Sequence, residues 1–400
     1  MTTHHAPRPD RTETSPTRAS RRTVLAALGV GPLAASALLG AGPARAATES
    51  GRIPDGLRPG GEFDRYLAQL AEQDAFSGTV LLSQGDRTVL ARSHGMADKA
   101  RGIPNGPDTV FNLGSITKLF TATAIHQLAE QGRLAYNTPL KAYLSGLRPE
   151  VAESVTVHQL LTHTSGFGRP AVNPPRPPGQ DQWTTLDEMF AGTMDYLRGL
   201  SLTFTPGTRN VYSNDGYYVL GAIVAELSGR SYYDYVREHV FAPAGMATAG
   251  FPTAAQWRED RRTARPYDKL DGGTWTEVIH LFDAGLLGSP AGGAFASAAD
   301  LVRYANAFQR NRLHSAAYVH LAASPKWPMA ADNTFFEGYG PSTHYLNGQR
   351  INGHNGGARG VSTNVDWFPD SGWTTVVLAN YGMAAVGVNR KVRQLIAGVR

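Results

Sequence analysis

The chain has 400 residues, with 38 lysines and arginines against 33 aspartates and glutamates, 42% hydrophobic residues and no cysteine. The hydrophobic content excludes bulk disorder, and the lack of cysteine excludes thiol catalysis, disulfide scaffolds, iron–sulfur clusters and cysteine-based zinc sites. Only six of the basic residues are lysine, so chance explains a lysine inside a motif less readily.

The N-terminal segment predicts an export signal. Arg21 and Arg22 precede a run rich in Ala, Leu and Gly, which ends in the small-residue pattern of Ala44, Arg45 and Ala46. Paired arginines before a mild apolar run are typical of a twin-arginine signal. We therefore expect residues 1–46 to be a signal peptide cleaved near Ala46 and the protein to be secreted. The alternatives are an internal helix or a membrane anchor, but the short Gly/Ala-rich run followed by a cleavage pattern argues against an anchor.

The charge balance changes once that segment is removed. Residues 47–400 keep 32 basic and 31 acidic residues, because the first 46 carry six arginines against two acidic residues. No run rich in lysine or arginine appears in this part. The mature chain therefore shows no sign of a nucleic-acid partner.

The first half of the mature chain predicts a helix, a hairpin and a second helix. Apolar residues at helical spacing mark residues 62–73, and residues 76–82 and 88–91 predict two strands joined by a turn at 84–87. Residues 115–131 predict a long helix that Gly132 ends.

Residues 133–290 predict mixed helices and loops. Apolar helices are expected at 215–229 and 231–241, and five prolines between 170 and 178 predict an exposed loop of restricted shape, which we expect to line the cleft.

Strands return near the C-terminus. Ser297 and Asp300 predict a capping box with aspartate in place of glutamate, residues 361–368 and 373–380 predict a hairpin, and residues 389–399 predict a final helix. Strands at both ends and helices between them predict an α/β (α+β) fold, in which an antiparallel sheet of N- and C-terminal strands is flanked by helices and a mostly helical lobe is inserted. We place the sheet lobe at about 57–110 and 291–400 and the helical lobe at about 111–290.

Ser115 and Lys118 form the first chemical motif, S-x-x-K. Positions i and i+3 share one face of a helix, so the lysine amine can act as the base for the serine hydroxyl. The motif alone also fits an N-cap serine followed by a solvated lysine.

Two further motifs follow along the chain. Tyr212 and Asn214 form a Y-x-N motif on a loop before a helix, where a tyrosine can relay a proton and an asparagine can bind a substrate amide. His354, Gly356 and Gly357 lie in a glycine-rich segment that predicts an edge strand able to pair with a substrate or donate an N–H to an oxyanion. A plain glycine turn is the alternative.

These motifs occur in a recognisable order, together with segments 160–166 and 292–301. The sequence resembles the serine β-lactamase and penicillin-binding protein superfamily, and within it the class C-like group of D-alanyl-D-alanine carboxypeptidases, D-aminopeptidases and esterases. The resemblance spans about residues 60–398 and implies the β-lactamase/transpeptidase-like fold.

The resemblance also implies roles. Ser115 is expected to be acylated, Lys118 and Tyr212 to share acid and base duty, Asn214 to orient the substrate amide, and the N–H groups of Ser115 and Gly357 to form the oxyanion hole. His354 stands where many relatives carry lysine.

A histidine at that position lowers the expected efficiency of β-lactam hydrolysis, because it is only partly charged near neutral pH. The function expected is a secreted serine hydrolase that acts through an acyl-enzyme on Ser115 and is D-alanyl-D-alanine carboxypeptidase-like, D-peptidase-like or β-lactamase-related. Its expected substrates are D-amino-acid peptides, related amides or esters. The alternatives are a carboxylesterase or transesterase of the same family, and a non-catalytic penicillin-binding-like protein.

His163 allows two interpretations, a support for the cleft or a histidine hydrogen-bonded in a turn. The histidines show no metal-ligand spacing, so no metal and no cofactor are expected. The expected partner is a small-molecule or peptide substrate, with no stable membrane anchor and with the protein as a monomer.

Overall fold

The computed structural model describes residues 53–169, 175–270, 273–282 and 288–399. The predicted signal peptide and part of the proline-rich loop lie outside these residues.

Strands are grouped toward the two ends of the described chain, with most of the helices between them. The strands are β1 (Gly78–Gln84), β2 (Arg87–His94), β3 (Met96–Asp98), β4 (Ile103–Pro104), β5 (Val110–Asn112), β6 (Tyr267–Lys269), β7 (Trp275–Glu277), β8 (Phe295–Ser297), β9 (Trp327–Pro328), β10 (Phe335–Glu337), β11 (Ser342–Leu346), β12 (Gln349–Ala358), β13 (Val361–Phe368) and β14 (Trp373–Ala379). The helices are α1 (Glu62–Glu72), α2 (Thr117–Glu130), α3 (Pro149–Ser154), α4 (Val157–Leu161), α5 (Leu186–Arg198), α6 (Asn214–Ser228), α7 (Tyr232–Val236), α8 (Ala242–Ala244), α9 (Ala254–Glu259), α10 (Ala298–Gln309), α11 (Ala316–Ala323) and α12 (Ala384–Ala397).

One large antiparallel sheet brings the two ends of the described chain together. Within the described residues its order is β2-β1-β14-β13-β12-β11-β10-β9. The N-terminal hairpin joins the C-terminal strands through β1 and β14, with Gly78 opposite Ala379 and Gln84 opposite Trp373. The predicted antiparallel sheet of N- and C-terminal strands with flanking helices is confirmed.

The two faces of the sheet are covered by different helices. On one face, α1 and α12 pack Phe63, Leu67, Val388 and Val392 into a buried cluster with β1 and β14. On the other face, α2, α6 and α10 contribute to a larger cluster. Every residue of α2 from Thr117 to His126 is buried, as expected for a helix enclosed on all sides.

Two local predictions need adjustment. Ser297 caps α10 by accepting from the backbone N–H of Asp300, but the Asp300 carboxylate accepts from Thr248 and Arg303 instead of closing the capping box. The last helix begins at Ala384 rather than 389, because Ser362 accepts the backbone N–H of Ala385 and holds the first turn against the sheet.

Candidate active site

Ser115 lies in a tight turn between β5 and α2. Gly114 adopts a φ of 51°, which favours glycine, and its N–H donates to Asn112 Oδ1 at 2.9 Å. The Thr117 hydroxyl donates back to the Gly114 carbonyl at 2.7 Å. This turn holds the Ser115 hydroxyl at the mouth of the cleft, at the point where the chain enters a helix.

Lys118 lies one turn further along, fully buried beside Ser115. Its Nζ is 3.3 Å from Ser115 Oγ, 2.7 Å from Asn214 Oδ1 and 2.5 Å from the Ala291 carbonyl. Burial lowers the pKa of Lys118 to about 7, against a smaller opposing effect of Glu337. A neutral amine has two hydrogens for these three acceptors, so its lone pair faces the longest contact, the Ser115 hydroxyl. Lys118 therefore has the position and the pKa of a base.

Tyr212 lies on the loop before α6 and donates from its hydroxyl to Ser115 Oγ at 2.7 Å. The residue is 43% exposed, but its hydroxyl is held in the site by the hydrogen bond to Ser115. Burial raises the pKa of Tyr212 well above its usual value, and Glu337 adds to the increase. The phenol therefore stays protonated at neutral pH and can pass a proton on, but it does not start as a phenolate base.

His163 packs its ring against that of Tyr212. It adopts a φ of 56° in the turn after α4, accepts from the Ser213 backbone N–H at 3.1 Å through Nδ1, and its ring lies 4.5 Å from that of Tyr212. Burial holds the pKa of His163 well below its usual value, so it is neutral. Both interpretations of this histidine hold, because it is hydrogen-bonded in a turn and also supports the site.

Asn214 is the first residue of α6, which Ser213 caps by accepting from Gly216 N–H at 3.0 Å. Its side-chain oxygen accepts from Lys118, and the residue also lines the cleft. The amide NH₂ is then the part of Asn214 that can meet a substrate carbonyl.

The glycine-rich strand β12 is not the edge strand that the sequence predicts, because it lies between β11 and β13. However, β11 stops at Ser342, opposite Gly353, so no described strand pairs with that edge of β12 from His354 onward, and we call this part the open edge of β12. The prediction is wrong for the strand as a whole, yet the segment that it concerned does present a free edge.

Glycines bring β12 against the Ser115 turn. A Cβ on Gly356 would lie 1.9 Å from the Leu113 carbonyl oxygen, and a Cβ on Gly114 would lie 2.8 Å from the Gly357 nitrogen. The backbones of Gly357 and of the Ser115 turn are therefore neighbours, as an oxyanion hole built from their N–H groups requires.

His354 begins the open edge and is half-buried. Burial, helped by the charge of Lys118, lowers the pKa of His354 to about 4, although its Nδ1 contact with the Asn355 carbonyl opposes this. His354 is thus neutral at pH 7, so it supplies less positive charge than the sequence predicts.

A cleft of about 600 Å³ opens beside Ser115. Asn214 and Gly357 line it, as do Arg169 and Arg176. Arg169 is held by hydrogen bonds and an ion pair to Asp215. The described part of the proline-rich loop, including Arg176, therefore lines the cleft as expected.

Glu337 is a member of this site that the sequence analysis missed. It ends β10, and its charge acts on Lys118, Tyr212 and Tyr217. Burial raises the pKa of Glu337 to about 7, against the opposing effect of Lys118. No motif surrounds this residue, and more than 200 positions separate it from Lys118, so no local signal could have identified it.

The structure brings all the predicted site residues together around Ser115. Gly356 contributes by letting β12 pack closely against the Ser115 turn.

Among the described residues, no group of three or more His, Asp or Glu side chains could hold a metal ion. None of the described helices is both long enough and apolar enough to cross a membrane.

Comparison with known proteins gives consistent matches. A family model described as Beta-lactamase matches residues 63–397. The chain is 30% identical over 268 residues to the putative penicillin-binding protein PbpX of Bacillus subtilis (strain 168), covering 64% of this chain and 59% of PbpX. It is 32% identical over 214 residues to esterase EstB of Burkholderia gladioli, covering 51% of this chain and 53% of EstB. The chain thus spans little more than half the length of these two relatives.

A solved structure is also similar. The penicillin-binding protein from Bacillus halodurans superposes with a TM-score of 0.71 at 30% identity, covering 82% of this chain and 99% of that one.

Proposed function

Because the chain belongs to the β-lactamase family, as the resemblance of its motifs predicted, we propose that it is a serine hydrolase that forms an acyl-enzyme on Ser115. The observation that carries the proposal is the convergence of two groups on one hydroxyl. Tyr212 lies 2.7 Å and Lys118 Nζ 3.3 Å from Ser115 Oγ.

The proposed reaction starts with the neutral form of Lys118. Lys118 takes the Ser115 proton as Oγ bonds to the substrate carbonyl carbon, and the N–H groups of Ser115 and Gly357 stabilise the oxyanion. The C–N or C–O bond then breaks. Tyr212 gives its proton to the leaving group, and the proton that Lys118 took from Ser115 then replaces it on Tyr212, so Lys118 and Tyr212 end the step in their starting states. Water, deprotonated by the same pair, then cleaves the acyl-enzyme.

The substrates we propose are D-amino-acid peptides, related amides or β-lactams, with cleavage like that of a D-alanyl-D-alanine carboxypeptidase as one form. The relatives named as penicillin-binding proteins support this class. A carboxylesterase activity is the second candidate, supported by the similarity to EstB and by the neutral state of His354, which offers no fixed cation for a substrate carboxylate. We also propose that the protein is secreted, on the strength of residues 1–46.

The test uses two acylating probes on the purified protein and on the Ser115→Ala variant. A fluorophosphonate and a labelled penicillin should both label the wild type and neither should label the variant. Labelling that persists in the variant would refute the assignment of Ser115. Labelling by fluorophosphonate alone would favour the esterase.

A further inference from the structure

The wall of the site beyond Tyr212 carries a carboxylate that the proposed reaction does not use. Glu337 is half-buried, and in the described part of the chain no hydrogen bond or ion pair joins its carboxylate to another side chain. Withdrawing a carboxylate partly from water without such a partner is costly, and burial accordingly raises the pKa of Glu337. It is therefore a candidate for a group whose partner is a substrate.

The backbone around Glu337 fixes its place next to the catalytic groups. The link at 338–341 between β10 and β11 crosses α2, where a Cβ on Gly340 would lie 2.6 Å from Ala122 Cβ, one turn beyond Lys118. β11 then begins at Ser342, opposite Gly353. The end of β10 thus lies where the open edge of β12 starts, at His354.

Two sides of the site can be distinguished by the proposed chemistry. The cleft lined by Asn214 and Gly357 contains the amide and the N–H that would hold the acyl part of a substrate. The proton for the leaving group comes from Tyr212, which lies outside that lining, so the leaving group must lie beside Tyr212. We call this the leaving-group side. Glu337 and His354 are assigned to it because the charge of Glu337 acts on Tyr212 and that of His354 acts on His163, whose ring packs against Tyr212.

Among the described residues, the leaving-group side offers no free cation to a substrate. Lys118 Nζ is surrounded by Ser115, Asn214 and the Ala291 carbonyl. Lys326, whose backbone N–H donates to the Glu337 carbonyl, directs its ammonium to the Leu321 and Ser324 carbonyls instead. The histidines near Tyr212 are neutral, and among the described residues no hydrogen bond or ion pair holds the Glu337 carboxylate, on which Lys118 acts only through its charge.

We propose that Glu337 selects substrates by the charge of the leaving group, favouring amides and esters whose leaving amine or alcohol is neutral or cationic over those that release a carboxylate-bearing amino acid. This inference rests on the proposed function of Ser115. It narrows that function, because a carboxypeptidase substrate places an anion next to this carboxylate, whereas an amide, an ester or an amine-bearing leaving group does not.

The experiment uses three substrates that share one acyl group. The substrates are N-acetyl-D-alanyl-glycine, its glycinamide counterpart and the 2-aminoethyl amide. Before cleavage, their leaving groups are similar in size and carry a carboxylate, a neutral amide and an ammonium, respectively. kcat/KM is measured at about pH 8, above the pKa of about 7 of Glu337, so that this carboxyl is ionised. The proteins are the wild type, Glu337→Gln, and Glu72→Gln, in which an exposed carboxylate at the end of α1 is changed. The active-site concentration of each protein is titrated with a fluorophosphonate.

The wild type should cleave the cationic and neutral substrates faster than the anionic one. Glu337→Gln should reduce the cationic-to-anionic ratio of kcat/KM by about tenfold, whereas Glu72→Gln should keep the wild-type ratio. An unchanged ratio in a Glu337→Gln protein that still reacts with the phosphonate would overturn the inference. So would a wild type that prefers the anionic substrate, and this second measurement stands even if the variant does not fold. Failure of Ser115 to react with the phosphonate would instead refute the proposed function.

Discussion

Replacing Gly356 by alanine tests whether the close approach of β12 to the Ser115 turn builds the site. The new Cβ would lie 1.9 Å from the Leu113 carbonyl oxygen and 2.5 Å from Thr363 Oγ1. Ordinary contact begins at about 3.5 Å, so the two backbones must separate by about 1.6 Å. Thr363 cannot relieve the clash cheaply, because its hydroxyl donates to that same Leu113 carbonyl at 2.9 Å.

The separation would move the Gly357 N–H away from the Ser115 N–H. A misplacement of about 1 Å costs on the order of 100-fold in rate, and losing one oxyanion donor costs about 100- to 1,000-fold. We therefore expect Gly356→Ala to lower kcat/KM by at least about 100-fold. The overpacking itself should destabilise the fold by about 1–3 kcal/mol.

The assay compares kcat/KM on an activated ester with the thermal midpoint of each protein. Gly250→Ala is the matched control, because no atom lies within 4 Å of its added Cβ and its φ is ordinary. The control should stay within a fewfold of the wild type. Wild-type activity in a stable Gly356→Ala protein would refute the argument that this contact forms the oxyanion hole.

Further predictions follow from the contacts of Lys118 and Tyr212 and from the buried histidines. Tyr212→Phe should lower kcat/KM by about 100- to 10,000-fold on amides but less on a p-nitrophenyl ester, whose leaving group needs no proton; equal losses on both would contradict the relay. kcat/KM should rise with pH up to about 7 and then level off, because the neutral form of Lys118 is the base. Asn214→Asp should move that rise to higher pH, since it places a carboxylate beside Nζ; an unshifted profile would argue against Lys118 as the base. Thermal stability should fall as the pH falls below about 6.5, because the unfolded chain takes up protons that buried histidines such as His126, with a pKa lowered to about 3 by burial, do not. The expected loss is about 2 kcal/mol at pH 5 for each fully buried histidine, and a thermal midpoint that is flat from pH 7 to 5 would contradict it.

The local sequence pattern was sufficient to predict most of the helices and strands and to identify the candidate nucleophile. The spacing of Ser115 and Lys118 predicts that the two side chains meet, and they do, at 3.3 Å, although Ser115 lies in the 3-10 turn Gly114–Ile116 that leads into α2. Tyr212 and Asn214 lie before and at the start of α6 because Ser213 is a good N-cap. In each case, interactions within a few residues of the chain determine the outcome.

The tertiary structure decided what these residues can do. The pKa of Lys118 depends on burial and on the charge of Glu337, and the open edge of β12 depends on where β11 stops. Glu337 joins the site only because β10 ends beside α2. Burial and electrostatic interactions depend on distances between atoms that are far apart along the chain. Such distances leave no pattern in the local sequence. The sequence alone determined the elements, the order of the motifs and the family. Only the fold determined the lowered pKa that suits Lys118 to act as a base and the raised pKa of Glu337, because both follow from burial and from charges brought together by packing.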